Sequence, residues 1–172
     1  MKIVFAERDI AEGEEICISY QSFNDLSREY SHYLSEAILK TKWGIICPQD
    51  CVCRDPAIQK LIDQSRKLQS SFVKMVCEGN AKGALGNAQL LMKNQEKIHS
   101  PWIDKIGTLF DAFQFAIMKK NTLKLGQEYA KQLYEIASAI WSPEDEEVRE
   151  YERYMKNPQI HRVYLILEQG GR

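Results

Sequence analysis

Cys47, Cys51 and Cys53 fall within seven residues and are the densest set of chemically capable side chains in the sequence. Only Cys17 and Cys77 complete the total of five. An odd number of cysteines, three of them clustered, in a chain without the long apolar N-terminal run of a signal peptide favours thiolates gathered on a metal over disulfides. Cys17 sits on the opposite face of its strand from Tyr20 and reads as a small buried hydrophobe. His32, His99 and His161 lie far apart, and none has a Cys or His neighbour at metal-ligand spacing. They read as surface or half-buried residues. The acidic run Glu144-Asp145-Glu146-Glu147 follows Ser142-Pro143, where negative charge complements the positive end of a helix. Recognition of basic protein tails is the functional alternative for that run.

The elements that must position these residues change character along the chain. Residues 2–6 and 14–20 alternate apolar and polar side chains and predict two strands, with Ile16, Ile18 and Tyr20 on one face. A tight turn between them is expected to use Gly13 at positive φ. Helical spacing of Tyr30, Tyr33, Leu34, Ala37 and Ile38 predicts a helix over roughly 26–40. Residues 43–55 break every periodicity and read as an irregular loop.

Beyond Asp55 the punctuation is a capping residue followed by proline, at Asp55-Pro56, Ser100-Pro101, Ser142-Pro143 and Asn157-Pro158. Each pair offers a side-chain oxygen to orphan amides and then a residue that needs no donor at the first helical position. Apolar residues between these marks recur at helical spacing, from Ile58 to Val76, from Ile106 to Ile117 and from Tyr129 to Ile140. Further breaks at Glu78-Gly79-Asn80 and Lys120-Asn121 divide the tail into about six helices. Helix starts at 56, 101 and 143, which are 45 and 42 residues apart, suggest stacked helical hairpins. The aromatic payload of Trp102, Phe110, Phe113, Phe115, Trp141, Tyr151 and Tyr154 is expected to be mostly core, with an interaction groove between hairpins as the alternative.

The chain has 172 residues, 44% hydrophobic and 27% charged, with a net charge of -1. That is the composition of a globular chain able to bury a core. Lys and Arg are scattered, so no basic stripe invites direct nucleic-acid binding. No run of about 18 apolar residues suggests a membrane span. An intracellular location, nucleus or cytoplasm, is the expectation.

Ala6-Glu-Arg-Asp-Ile10, then Gly13-Glu-Glu-Ile-Cys-Ile-Ser-Tyr20, then a helix carrying Arg28 and Leu39, then Trp43-Gly44 leading into the cysteines, resembles the end of a SET domain. The pattern is most similar to SET-and-MYND-type and fungal SET protein lysine methyltransferases, and covers residues 3–55. The resemblance implies S-adenosylmethionine as cofactor and a lysine of a histone or other protein as substrate. It aligns Tyr20 with the tyrosine whose hydroxyl sits where the lysine amine meets the transferred methyl, and methyl transfer by in-line displacement depends on such alignment. It assigns Cys47, Cys51 and Cys53 to a post-SET zinc site, although the Cys-x3-Cys-x-Cys order reverses the usual one. Zinc can organise a loop that has little core of its own. Trp43 and Ile45 fall in the segment that covers the cofactor's adenine and one wall of the lysine channel in relatives.

The implied fold is mainly α: a short β-hairpin or strand remnant of the SET domain (residues 1–42), a cysteine-rich post-SET segment (43–55), and an array of about six helices, TPR-like in its hairpins (56–172). The sequence contains no Gly-x-Gly and no Asn-His pair, both of which a complete SET domain uses for its cofactor and zinc sites. The expectation is a C-terminal portion, inactive by itself because the cofactor-binding half is absent. The alternative is a non-catalytic helical protein-interaction module with a vestigial SET segment, meeting a protein partner on its helices.

Overall fold

The computed structural model describes residues 9–13, 32–46, 48–49 and 54–169, with the backbone alone at 32–36 and 38. The two expected strands, Tyr20, and Cys47, Cys51 and Cys53 lie outside the described residues. Of the segment between the expected strands, Gly13 is described. It sits in a turn at φ +82°, as its position requires.

The described fold is helical. In chain order come α1 (His32–Trp43), α2 (Pro56–Cys77), α3 (Ala81–Lys97), α4 (Trp102–Ile117), a 3-10 turn (Lys120–Thr122), α5 (Leu123–Ile140), α6 (Glu146–Lys156), a second 3-10 turn (Pro158–Ile160) and α7 (Ile166–Gln169). No helix among the described residues is long and apolar enough to cross a membrane.

Two of the boundaries follow the sequence rules directly. The Asp55 carboxylate accepts from the Ala57 amide at 2.8 Å and Pro56 opens α2. At the other end of α2, Gly79 adopts φ +71°. Its amide bonds to Val76 O at 2.9 Å and that of Asn80 to Met75 O at 2.8 Å, a Schellman motif that closes the helix. Asn80 then caps α3 by accepting from the Gly83 amide at 3.0 Å.

Three cap-proline starts are corrected. Ser100 does not cap α4: its hydroxyl reaches no amide of that helix, and its amide closes α3 by donating to Gln95 O at 2.9 Å while His99 stands at φ +51°. The α4 N-cap is Pro101, with no side-chain cap bond. α6 begins at Glu146, three residues later than Pro143 suggests, since Asp145 is the residue whose carboxylate reaches a free amide, that of Glu147 at 2.9 Å. Glu146 and Glu147 then sit at the positive end of the helix. Asn157-Pro158 opens only the single 3-10 turn.

Successive helices from α2 to α6 pack as antiparallel neighbours. Asn87 Nδ2 reaches Ser71 Oγ at 2.9 Å and Asn94 Nδ2 reaches Ser65 Oγ at 3.3 Å, so α2 and α3 run in opposite directions. Contacts one hairpin further on recur at a near-constant separation. Phe72 meets Phe115 at 5.2 Å between ring centroids, 43 residues later, and Phe113 meets Tyr154 at 5.3 Å, 41 residues later. Gln89 Nε2 reaches Tyr129 OH at 3.0 Å across 40 residues. Thus α2, α4 and α6 form one layer, and α3 and α5 the other.

α4 is the centre. Ile106, Leu109, Ala112, Phe113, Phe115, Ala116 and Ile117 are all buried, so over its second half the helix keeps only a narrow, partly exposed side at Phe110, Asp111 and Gln114. α3 meets it with Ala84, Ala88 and Leu91, and α5 with Ala130, Leu133 and Ala137. Small residues bring the axes close, and burying each of the large side chains stabilises the fold by about 1.5–3 kcal/mol. The closest approach is at Gly126 of α5, where an added Cβ would lie 2.6 Å from Ile117 Cγ2.

Two glycine substitutions therefore have opposite expected effects in urea titrations. Gly126→Ala is expected to destabilise by about 1–3 kcal/mol through overpacking against a β-branched side chain. Gly107→Ala, exposed in α4 with nothing within 4 Å of the new methyl, is expected to stabilise by about 0.5–1 kcal/mol.

Candidate functional site

Of the site residues that the resemblance implies, Trp43 and Ile45 are described, Trp43 at the end of α1 and Ile45 just beyond it. Trp43 is the last helical residue, a correction to the loop expected from residue 43 onward. Gly44 at φ +70° ends the helix, its amide bonding to Lys40 O at 3.0 Å while the Ile45 amide reaches Leu39 O at 3.1 Å. Trp43 is 48% exposed with the Lys42 ammonium 5.2 Å from its ring centroid. Ile45 is partly buried beside exposed Ile46. Cys77, on α2, is a free exposed thiol. Among the described residues no three His, Cys, Asp or Glu side chains converge as a metal site would need.

The most unusual polar chemistry described lies inside the helical stack. α4 carries Asp104, Thr108 and Asp111 at i, i+4 and i+7, one polar stripe of a mostly apolar helix. Gln95 of α3 donates from Nε2 to Thr108 Oγ1 at 2.9 Å and to Asp104 O at 3.2 Å, and Thr108 Oγ1 donates to Asp104 O at 3.1 Å. Asn94 continues the polar seam to α2 through Ser65 Oγ and Gln64 Oε1, each at 3.3 Å. Gln95 Oε1 and Ser100 Oγ are buried without a hydrogen-bond partner in the fold. Buried acceptors of this kind are the usual lodging of an internal water.

Asp111 is the exception in the stripe. Burial without a compensating cation pushes its carboxyl up to about 6. Sequence reasoning passed over it, although an acidic residue in the run Leu109-Phe110-Asp111-Ala112-Phe113 is itself a signal. So is the i, i+4, i+7 recurrence with Asp104 and Thr108.

A second group gathers around His161, expected at the surface or half-buried but buried in the structure because α4 and α6 enclose its ring. Its ring lies edge-on to Tyr154 at 4.9 Å, Phe113 at 5.4 Å and Phe110 at 5.9 Å. Burial lowers its pKa, Arg162 adds to the depression and Glu150 opposes it. Tyr154 hydrogen-bonds the Glu150 carboxylate, and both burial and that bond raise the phenol's pKa. Tyr151 is pushed up to about 12, chiefly by burial and then by Glu147 and Glu150. These phenols stay protonated at neutral pH, so they serve as packing and hydrogen-bonding groups.

No protein-family model, curated protein or solved structure matches the chain.

The buried carboxyl supplies a pH test. Its folded-state pKa is raised, so the native state holds the proton more tightly than the unfolded chain does. Stability is lost as pH rises through the window from about 4 to 6. Asp111→Asn should raise stability at pH 7.5 by roughly 2 kcal/mol, discounted from the full shift because part of the carboxyl remains hydrated. In paired thermal melts the gain should shrink to nothing below pH 4; an equal gain at both pH values would contradict the assignment.

Proposed function

We propose that the chain is the C-terminal portion of an S-adenosylmethionine-dependent protein lysine methyltransferase of the SET class, carrying the last strand of the catalytic domain, a zinc-binding post-SET segment and a helical C-terminal domain. The observation that carries the reading is the order of motifs from Ala6 to Cys53 running into a helical body. The α1 terminus supports it: an exposed Trp43 followed by left-handed Gly44 launches the cysteine segment from a helix end.

In this reading each residue has a definite task. Tyr20 presents its phenol oxygen to the lysine amine and orients the nitrogen lone pair for in-line attack. Trp43 and Ile45 offer apolar surface beside the cofactor's adenine and the lysine channel. Cys47, Cys51 and Cys53, as thiolates, hold a structural zinc that organises the loop lacking a core. S-adenosylmethionine, when bound in the whole enzyme, supplies an electrophilic methyl on a sulfonium. The substrate is a protein lysine, in a histone or another protein.

A second reading has its own support in the stacked hairpins of α2 to α6, an architecture that presents extended surfaces to proteins. There the chain is a non-catalytic helical interaction module and residues 3–55 are a vestige.

Zinc content separates the two. Native mass spectrometry of the purified chain should find one zinc per chain, lost in Cys51→Ser; absence of metal from protein prepared with zinc present would leave the interaction module. In the whole enzyme, Tyr20→Phe should cut turnover or change the number of methyls added per lysine, and unchanged kinetics with an unchanged product would remove Tyr20 from the reaction.

A further inference from the structure

The last four carbonyls of a helix have no partner within it, and at the end of α4 those groups lie at the base of the core. Thr122 Oγ1 satisfies Ala116 O at 2.6 Å. The next two are met from the far end of the chain: Leu165 N donates to Ile117 O at 2.8 Å and Leu167 N to Met118 O at 3.3 Å. Glu168 adds a third tie by accepting from the Lys120 amide at 3.3 Å. A segment some 48 residues downstream in sequence thus acts as the cap of the central helix.

This segment is held under strain. Leu165 stands at φ +51°, a left-handed conformation that costs a non-glycine residue about 1–2 kcal/mol. Pro158 is buried, and Val163, Tyr164 and Leu167 pack partly buried against the core. At the root of the segment His161 is only 7% exposed. Its Nδ1 accepts from Val163 N at 3.3 Å, which fixes the neutral ring with its proton on Nε2.

We propose that residues 157–169 are a strap that closes the C-terminal end of α4, and that His161 is its latch, whose protonation releases the strap while the helices beneath remain folded. A second proton would place an N–H where Val163 N–H already points and a charge inside an aromatic enclosure. The groups around the ring come from three sides. α4 brings Phe110 and Phe113; α6 brings Tyr154 and the Glu150 carboxylate, already engaged by the Tyr154 hydroxyl. The strap itself brings Arg162, which opposes a second positive charge. α5 packs against the turn Pro158–Ile160 but supplies no charge that acts on the ring. Burial therefore favours the neutral, docked form. The docked state keeps this advantage above the ordinary histidine pKa and loses it as pH falls through the lowered one.

Amide exchange followed by NMR at pH 7.5 and 5.0, corrected for intrinsic rates, tests the latch. In the wild-type chain, protection of Leu165 and Leu167 should fall about tenfold for each unit by which the histidine pKa is depressed, while Leu109, Ala112 and Phe113 of α4 keep theirs. His161→Asn, whose Oδ1 can accept from Val163 N but does not titrate, should make the strap's protection independent of pH. The proposal is overturned if Leu165 and Leu167 lose protection only together with α4, if their protection does not change between the two pH values, or if His161→Asn keeps the wild-type pH dependence. Should His161→Asn fail to fold, the imidazole titration of the wild-type chain decides. A ring that titrates together with loss of Leu165 protection supports the latch, and a ring that titrates without it refutes the latch.

Discussion

A helix buried around most of its circumference must be enclosed, and α4 is such a helix over its second half. Phe113 and Ile117 are wholly buried, as are Ala112 and Ala116, the residues that precede each of them. α3 and α5 approach it through alanines and Gly126, α6 closes one side with Tyr151 and Tyr154, and Phe72 of α2 meets Phe115 on another. The same enclosure strands the helix's last carbonyls, so backbone from beyond residue 160 must come back to meet them. The two-layer order of the stack and the position of the C-terminal segment are both consequences of burying this one element.

Polar groups inside that enclosure set its conditional stability. Gln95, Thr108 and Asn94 are joined into a hydrogen-bonded seam, which favours one register of α3 against its neighbours because a slip would leave buried amides unpaired. Asp111 and His161 pull in opposite directions with pH. The carboxyl is buried best when protonated and the imidazole when neutral. The carboxyl stabilises the fold below about pH 4 and the imidazole favours the docked strap above the ordinary histidine pKa, so between those limits neither contribution is complete.

The sequence made some of this legible because it was written in local rules. Asp55-Pro56 and Glu78-Gly79-Asn80 set helix ends through contacts within five residues, and the structure has them where the rules place them. Ser100-Pro101 misled because Ser100 belongs to the end of the preceding helix. Ser142-Pro143 misled because a better-placed carboxylate, Asp145, follows. The strap's docking could not be read: its ties to α4, two of them backbone to backbone, span nearly fifty residues and leave no periodicity. The same holds for His161, whose aromatic neighbours come from α4 and α6. The residues expected to do chemistry are a different matter. Tyr20 and the three clustered cysteines lie outside the described residues, while Trp43 moved from loop to helix end because Gly44, not Trp43, is the residue that breaks the helix. The methyltransferase reading accordingly rests on motif order, and the helical body is what that reading must carry.

The stacking of hairpins around α4 is the claim on which the account stands. Its most direct test is a set of side-chain NOEs between rings 41 to 48 residues apart in an NMR spectrum of the chain. The account requires cross-peaks from Phe72 to Phe115 and from Phe113 to both Tyr154 and His161. A fully helical chain that lacked all three would contradict it.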